Sequence, residues 1–299
     1  MERKIMKILG INSEKCINCG QCIADCPQKL YSEVDETNQI IFEDPYNICI
    51  LCGHCLAICP TNAIIAEEIE DLYEFEEAKD PSKLLNYENL MKLLRARRSI
   101  RRFQDKPIPR EQIEMILQAM RYAPSASNKQ SWNYIVLTNR EKIKIFADKV
   151  MELYYLLRKV LKLKFLLRFF VRGETRRLLL DPGTKIAIER TIADHKAGKD
   201  VMFYNAPCVI VLHSLQYGNM AGADAGIALT HGMLAAQSLG IGTCWIGLAQ
   251  EAVFRKKKLR KWLGIPKGRN CFGVLALGFP DVKYYRAPPR NKLQVQWIE

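Results

Sequence analysis

The spacing of eight cysteines constrains this 299-residue chain more than any other feature. Cys16-x-x-Cys19-x-x-Cys22-x-x-x-Cys26-Pro27 is followed by Cys49-x-x-Cys52-x-x-Cys55-x-x-x-Cys59-Pro60, one pattern stated twice with its proline. Two-residue spacers let three sulfurs converge from one tight loop, and the proline turns the chain away after the fourth. Eleven cysteines in a small exported protein would read as disulfides. Here eight crowd before residue 60, only Cys208, Cys244 and Cys271 lie beyond, and Met1–Gly10 has no signal-peptide apolar core or cleavage site. The pattern points to thiolate-held metal in a reducing compartment, and a cytoplasmic location is expected. Paired zinc sites are the bland alternative, and the doubled eight-thiolate pattern argues against them. Gly20 and Gly53 fall where each loop must run close to the bound group, and His54 needs no ligand role beside four thiolates. The three remaining cysteines sit in apolar runs, as core thiols do.

The net charge of +13 is unevenly divided. Residues 1–80 carry 6 Lys/Arg against 16 Asp/Glu, a net of −10, and the remaining 39 basic and 16 acidic residues give +23. An acidic head and a basic body attract each other. Positive charge also suits nucleic acid, but no zinc finger, helix-turn-helix or aromatic RNA-binding signature accompanies it, so no nucleic-acid partner is expected. No run of about 18 uncharged apolar residues occurs, so no transmembrane helix is expected.

Gln39–Phe42 and Ala63–Ala66 read as short strands, and Glu67–Asp80, closed by Pro81, as a helical or extended acidic linker. Beyond Leu84 helix and strand alternate. Pro109–Met120 reads as a helix with proline in its first turn and apolar residues at 113, 116, 117 and 120. Strands are expected at Trp132–Thr138, Cys208–His213, Thr243–Ile246 and Phe272–Leu277. An apolar helix is expected at Gly226–Leu239 and a basic amphipathic helix at Gln250–Leu263. Met151–Leu180 carries eight Lys/Arg against two Glu with leucines at helical spacing. It reads as a packed helix, as a lid over a substrate pocket, or as a basic helix making peripheral membrane contact. His195 is read as a surface-loop residue and Asp224 as a charge at a helix start, stabilised by the helix dipole.

The doubled cysteine pattern resembles that of bacterial two-cluster ferredoxins. The resemblance implies two [4Fe–4S] clusters with a crossed ligand set. Cys16, Cys19, Cys22 and Cys59 hold the first; Cys49, Cys52, Cys55 and Cys26 hold the second. Such clusters pass single electrons.

Three further segments carry a second resemblance. Arg97-Arg98-Ser99-Ile100-Arg101-Arg102-Phe103 ends a predicted helix with cations and a hydroxyl on one turn, suited to a phosphate. Ala123-Pro124-Ser125-Ala126-Ser127-Asn128-Lys129-Gln130-Ser131-Trp132 lies between a helix and a strand. Leu239-Gly240-Ile241-Gly242-Thr243-Cys244-Trp245-Ile246-Gly247 is followed by Arg286-Ala-Pro-Pro-Arg290. In order and spacing these resemble the nitroreductase family over roughly residues 89–290. The resemblance implies an FMN-dependent reductase, a homodimer with flavin at the subunit interface. It places Arg97, Arg98, Ser99 and Arg101 on the FMN phosphate, ribityl chain and pyrimidine edge. By the same resemblance Pro124, Ser125, Ala126, Ser127 and Asn128 belong to the loop contributed by the partner subunit, Gln130 is a cofactor-binding residue, Ile246, Gly247 and Leu248 lie beside the isoalloxazine, and Arg286 is a phosphate-binding arginine. Ser131 departs from the proline that often precedes the tryptophan, and Gly247 stands where some relatives are acidic.

The expected fold is therefore α+β: a ferredoxin-like domain at 1–66, an acidic linker at 67–83, and a nitroreductase-like FMN domain at 84–299. The last should hold a central, mainly antiparallel sheet flanked by helices, with 150–180 as an insertion or lid. Single electrons from an external donor such as ferredoxin would pass through the clusters to FMN and on to an electron-poor small molecule: a nitro group, a quinone or a conjugated C=C. No side chain is assigned as a catalytic nucleophile. Two alternatives are an electron-transfer subunit of a larger redox complex, and specialised flavin chemistry such as dehalogenation or FMN consumption.

Overall fold

The computed structural model describes residues 6–69, 71–163, 165 and 169–299. Lys164 and Leu166–Arg168, within the basic segment, lie outside the described residues. Two compact units separate: Met1–Asn86 with Ser125–Lys129, and Tyr87–Pro124 with Gln130–Glu299.

The first unit repeats itself, as its cysteine pattern does. Strand β1 (Lys7–Ile11) pairs antiparallel with β4 (Ile64–Glu67), and β2 (Tyr31–Val34) with β3 (Gln39–Phe42). Helices α1 (Gln21–Asp25) and α2 (His54–Ile58) each start after a left-handed glycine, Gly20 at φ 68° and Gly53 at φ 75°. Both of these short helices end on a cysteine, Cys26 or Cys59. Only glycine adopts that conformation without steric cost, which lets each loop reverse tightly between its second and third thiol. A core centred on Cys22, Tyr31 and Ile40 is too small to hold a unit of this size by apolar burial alone.

In the second unit four antiparallel strands run in the order β5 (Asn133–Leu137), β6 (Cys208–Leu215), β8 (Arg269–Gly278), β7 (Gly242–Trp245). Around them lie α3 (Tyr87–Ala96), α4 (Arg110–Arg121), α5 (Arg140–Lys162), α6 (Gly173–Leu180), α7 (Pro182–Lys196), α8 (Met220–Ser238), α9 (Gly247–Arg255) and α10 (Lys257–Trp262). Successive strand residues face opposite ways. Val209, Val211, Val274 and Ala276 meet Phe146, Val150 and Ile192 on one face. Ile210, Leu212, Leu275 and Leu277 meet Ile116, Met120 and Leu229 on the other. With both faces covered, β6 reads as a continuous apolar run rather than an alternation. The α+β class and the antiparallel sheet match expectation.

Several boundaries differ. Pro109 is the N-cap of α4 rather than a residue of its first turn. The apolar helix starts at Met220, earlier than Gly226, because Ala221 and Ala225 are also buried. The basic helix expected at Gln250–Leu263 is two helices, broken where Lys256 turns extended (φ −95°, ψ 103°). There the Lys256 Nζ donates to Glu152 Oε2 at 3.1 Å and Lys149 O at 3.3 Å, and the break lets Val253 and Leu259 both reach the core. Helix α5 buries Ile143, Phe146, Ala147, Val150, Met151 and Leu153, so the basic segment begins as a packed helix. Farther along, Leu156, Leu163, Phe165, Phe169 and Phe170 are exposed.

Candidate functional site

The two cysteine loops start alike. Asn12 Oδ1 accepts from the Glu14 and Lys15 N–H groups before the first, and Asp44 accepts from Ile48 and Cys49 before the second. Each fourth cysteine then receives a backbone N–H four residues on: Leu30 to Cys26 Sγ at 3.5 Å, Ala63 to Cys59 Sγ at 3.2 Å. Burial pushes the Cys59 thiol up, but the Ala63 and Thr61 contacts outweigh it and hold the group below its ordinary value.

Two cavities result, and each draws thiols from both halves of the repeat. One is lined by Cys16, Cys19, Cys22 and Cys59, the other by Cys26, Cys49, Cys52 and Cys55. Four soft thiol donors around each cavity fit a [4Fe–4S] cluster, and the crossing ties the two half-motifs into one unit. His54 Nδ1 instead lies 3.3 Å from Asp25 Oδ2. The two loops differ in cover. Ile17, Asn18 and Cys19 are exposed, whereas their counterparts Ile50, Leu51 and Cys52 are half-buried. Within the same unit, Asn128 Nδ2 donates to Leu51 O at 2.7 Å and to Ile50 O at 3.3 Å.

In the second unit, the chain after α3 runs beside the sheet. Ser99 bridges Thr243 in parallel, the Ile100 N–H donates to Thr243 O at 2.9 Å, and Phe103 bridges Pro280. That course carries Arg97, Arg98 and Ser99 to the C-terminal segment. Arg98 Nη2 donates to Arg286 O at 2.7 Å, across 188 residues of sequence, and its guanidinium lies 4.0 Å from the Tyr284 ring centroid. Several guanidinium groups and a hydroxyl form a donor set that fits a phosphate dianion. At the end of β7, the Ile246 N–H donates to Val274 O at 2.8 Å, Gly247 opens α9, and Leu248 follows half-buried. A Cβ built on Gly247 meets nothing within 4 Å, so this backbone borders open space as a ring-binding edge requires. Arg101 is exposed. Pro124 and Gln130 belong to the second unit, whereas Ser125, Ala126, Ser127 and Asn128 belong to the first.

Gly242 sets how closely Ser99 approaches the sheet. A Cβ there would stand 2.6 Å from Ile100 Cγ1 and 2.9 Å from its Cβ. Gly242→Ala should cost about 1–3 kcal/mol of stability by overpacking. It should also loosen FMN retention, read by thermal unfolding and by fluorescence of released FMN.

A half-buried polar network begins at Ser131, next to Gln130. Ser131 Oγ is 2.5 Å from Ser214 Oγ and donates to Tyr217 OH at 3.3 Å, and Tyr217 OH donates to Asp224 Oδ2 at 2.7 Å. Serine can join this network where proline could not. Asp224, expected as a charge at a helix start, lies one turn inside α8, which begins earlier, and is buried. Arg269 bonds Ser131 O, and its Nε donates to His213 Nδ1 at 3.0 Å. Burial first, and the Arg269 charge second, push His213 down to about 4. Unfolded, the same imidazole titrates near 6.5. It therefore supports the fold fully above about 6.5 and loses that support as pH falls toward 4. The loss is on the order of 2–3 kcal/mol. His213→Asn should flatten this part of the pH–Tm curve between pH 6.5 and 4.

His195 was expected in a surface loop but occupies the last turn of α7, with Nε2 3.0 Å from Asp148 Oδ1 and Nδ1 3.3 Å from Tyr155 OH. It lines a cleft of about 480 Å³ with Arg140, Lys144, Asp148 and Lys199, and none of the flavin candidates lines that cleft. The sequence signal for the pairing was weak, because Asp148 sits on a different helix. Cys208 and Cys271 are buried core thiols, both pushed up to about 12 by burial, and Cys244 is also buried.

Comparison with known proteins assigns both units. Residues 94–279 match the nitroreductase family, and residues 15–64 match the 4Fe-4S dicluster domain. An Archaeoglobus fulgidus protein named for NADH dehydrogenase or NAD(P)H nitroreductase activity is 32% identical over 205 residues, 68% of this chain and 93% of that relative. An FMN reductase [NAD(P)H] of Bacillus subtilis is 27% identical, covering 67% of this chain and 69% of its own length. A nitroreductase with bound FMN from Desulfitobacterium hafniense superposes with a TM-score of 0.52 at 26% identity, covering 70% of this chain and 97% of that one. Fold and thiol cavities together define an oxidoreductase with an attached iron–sulfur unit. The chain belongs to the nitroreductase family.

Proposed function

We propose that this protein is an FMN-dependent reductase fed with single electrons through two [4Fe–4S] clusters. The observation that carries the reading is the pair of four-thiol cavities in a chain whose other unit is a nitroreductase. Cys16, Cys19, Cys22 and Cys59 would hold one cluster and Cys49, Cys52, Cys55 and Cys26 the other. FMN, when bound, accepts electrons one at a time and passes them on in pairs.

The chain's own residues bind and orient. Arg97, Arg98, Ser99, Arg101 and Arg286 hold the phosphate and polar edge, and Ile246, Gly247 and Leu248 leave the backbone open toward the ring. Pro124, Ser125, Ala126, Ser127, Asn128 and Gln130 close the site from a second copy of the chain. An uncharged outer face of α8, with Ala223, Ile227 and Thr230 exposed, supports the homodimer. The domains are then 1–66, 67–83 and 84–299, in a cytoplasmic protein; no described helix is long and apolar enough to cross a membrane.

The donor is a one-electron carrier such as ferredoxin, and the acceptor is an electron-poor nitro group, quinone or conjugated C=C. Two electrons and two protons take a nitro group to nitroso and water, with the protons drawn from water or a site hydroxyl. Anaerobic stopped-flow reduction of cluster-replete protein tests this. Flavin bleaching that is fast with reduced ferredoxin and slow with NADH or NADPH is the expected result. Fast bleaching by nicotinamide alone would assign the clusters a different task.

A further inference from the structure

The internal repeat lets the two cysteine cavities be compared position by position, and one matched position near the fourth cysteine carries a hydroxyl in one half only. Tyr31 stands five residues after Cys26, and Ile64 stands five residues after Cys59. Tyr31 lines the cavity of Cys26, Cys49, Cys52 and Cys55, while Ile64 lines the cavity of Cys16, Cys19, Cys22 and Cys59. Tyr31 is 4% exposed, and its buried hydroxyl meets no oxygen or nitrogen acceptor but interacts with the Cys55 thiol. A buried hydroxyl left without an acceptor costs roughly 1–3 kcal/mol, so this one depends on the sulfur side of the cavity for its hydrogen bond. The rest of the side chain is held in place: β2 pairs with β3, and the Tyr31 and Phe42 ring centroids lie 5.1 Å apart. The hydroxyl is therefore a fixed donor at this cavity; at the other, Ile64 offers none, and the hydroxyl present is that of Thr61, with Oγ1 3.8 Å from Cys59 Sγ.

We propose that the Tyr31 hydroxyl donates a hydrogen bond to the sulfur set of the cluster held by Cys26, Cys49, Cys52 and Cys55, and thereby raises that cluster's reduction potential. An added electron makes a cluster more negative, and a hydrogen-bond donor stabilises the more negative state. A higher potential on the Tyr31 side would favour electron transfer toward it: the cluster of Cys16, Cys19, Cys22 and Cys59 would lose one electron and the Tyr31-side cluster would gain it, with no proton transferred. The direction agrees with cover, since the loop at Ile17–Cys19 is exposed and open to a donor protein, whereas Leu51 O is bonded by Asn128. This direction of flow rests on the proposed relay; the effect on potential rests only on the clusters.

The test is an EPR-monitored redox titration of the holoprotein and of Tyr31→Phe, which keeps the ring and removes the donor. The expected result is a selective fall in one cluster's potential, shifting the electron's distribution between the clusters about tenfold, or 59 mV for one electron. Pulsed EPR of the reduced protein should also detect an exchangeable-proton coupling at one cluster that is lost in the variant, while the backbone N–H couplings, such as that of Leu30 to Cys26, remain. Should Tyr31→Phe fail to fold, the wild-type protein with fluorotyrosine incorporated, which keeps the ring and strengthens the donor, decides by a selective rise in one cluster's potential. Unchanged potentials, equal shifts of both clusters, or no exchangeable coupling lost in the variant would overturn the assignment. A selective shift in a protein whose flavin takes no electrons from its clusters would keep the Tyr31 role and sink the relay instead.

Discussion

Replacing Cys52 with serine will slow flavin reduction by a reduced one-electron carrier by about 100-fold or more, because a hard hydroxyl is a poor substitute for a soft thiolate ligand. Stability should fall with it. The first unit's core is centred on three buried residues, Cys22, Tyr31 and Ile40, and all three line the proposed cluster sites. Metal binding of this kind contributes folding free energy, on the order of 10 kcal/mol for structural zinc, comparable to the whole stability of a small domain. Iron chelation should therefore unfold residues 6–69 while leaving the second unit, with its two covered sheet faces, folded. Limited proteolysis and circular dichroism during chelation would read this. Loss of both units together, or of neither, would count against it. Serine variants at Cys208, Cys244 or Cys271 should leave the iron content unchanged.

Arg98→Ala should weaken FMN binding by about 10- to 100-fold. A charge-assisted hydrogen bond is worth about 1.5–3 kcal/mol, and each 1.4 kcal/mol is a factor of ten. The residue also ties the C-terminal segment down, through Arg286 O and the Tyr284 ring, so its removal loosens a second proposed phosphate ligand. Arg98→Lys keeps the charge but loses the planar fork and should fall between the two. Equilibrium dialysis with FMN fluorescence separates these outcomes without relying on turnover. Affinity unchanged in Arg98→Ala would place the phosphate elsewhere.

Much of this protein was legible before its structure. Thiolate spacing is a local property, since x-x spacers bring three sulfurs to one loop whatever surrounds it, so the eight cysteines could be read directly. The apolar runs at Cys208–Leu212 and Phe272–Leu277 likewise announced buried strands, because sheet faces covered on both sides leave no polar alternation. An arginine run says less. Arg97–Arg98–Ser99 is a plausible anion site only once the chain lies beside Thr243 and meets Arg286, a contact 188 residues apart.

Other features belong to tertiary structure alone. His195 looked like a loop residue because nothing near it in sequence announces Asp148 or Tyr155, and Asp224 looked like a simple helix-start charge because its partner Tyr217 precedes the helix. The expected helix at Gln250–Leu263 has good helical spacing, yet it breaks at Lys256, where packing of Val253 and Leu259 outweighs local propensity. The cysteines illustrate the division best. Their number and spacing, written in neighbouring residues, determine that the chain can hold iron–sulfur clusters. The crossed sharing of thiols was implied by resemblance, but which cavity contains the buried Tyr31 hydroxyl was decided only when the two halves of the repeat packed against each other. Spacing controls local loops, but burial and hydrogen bonding depend on segments that sequence does not place together.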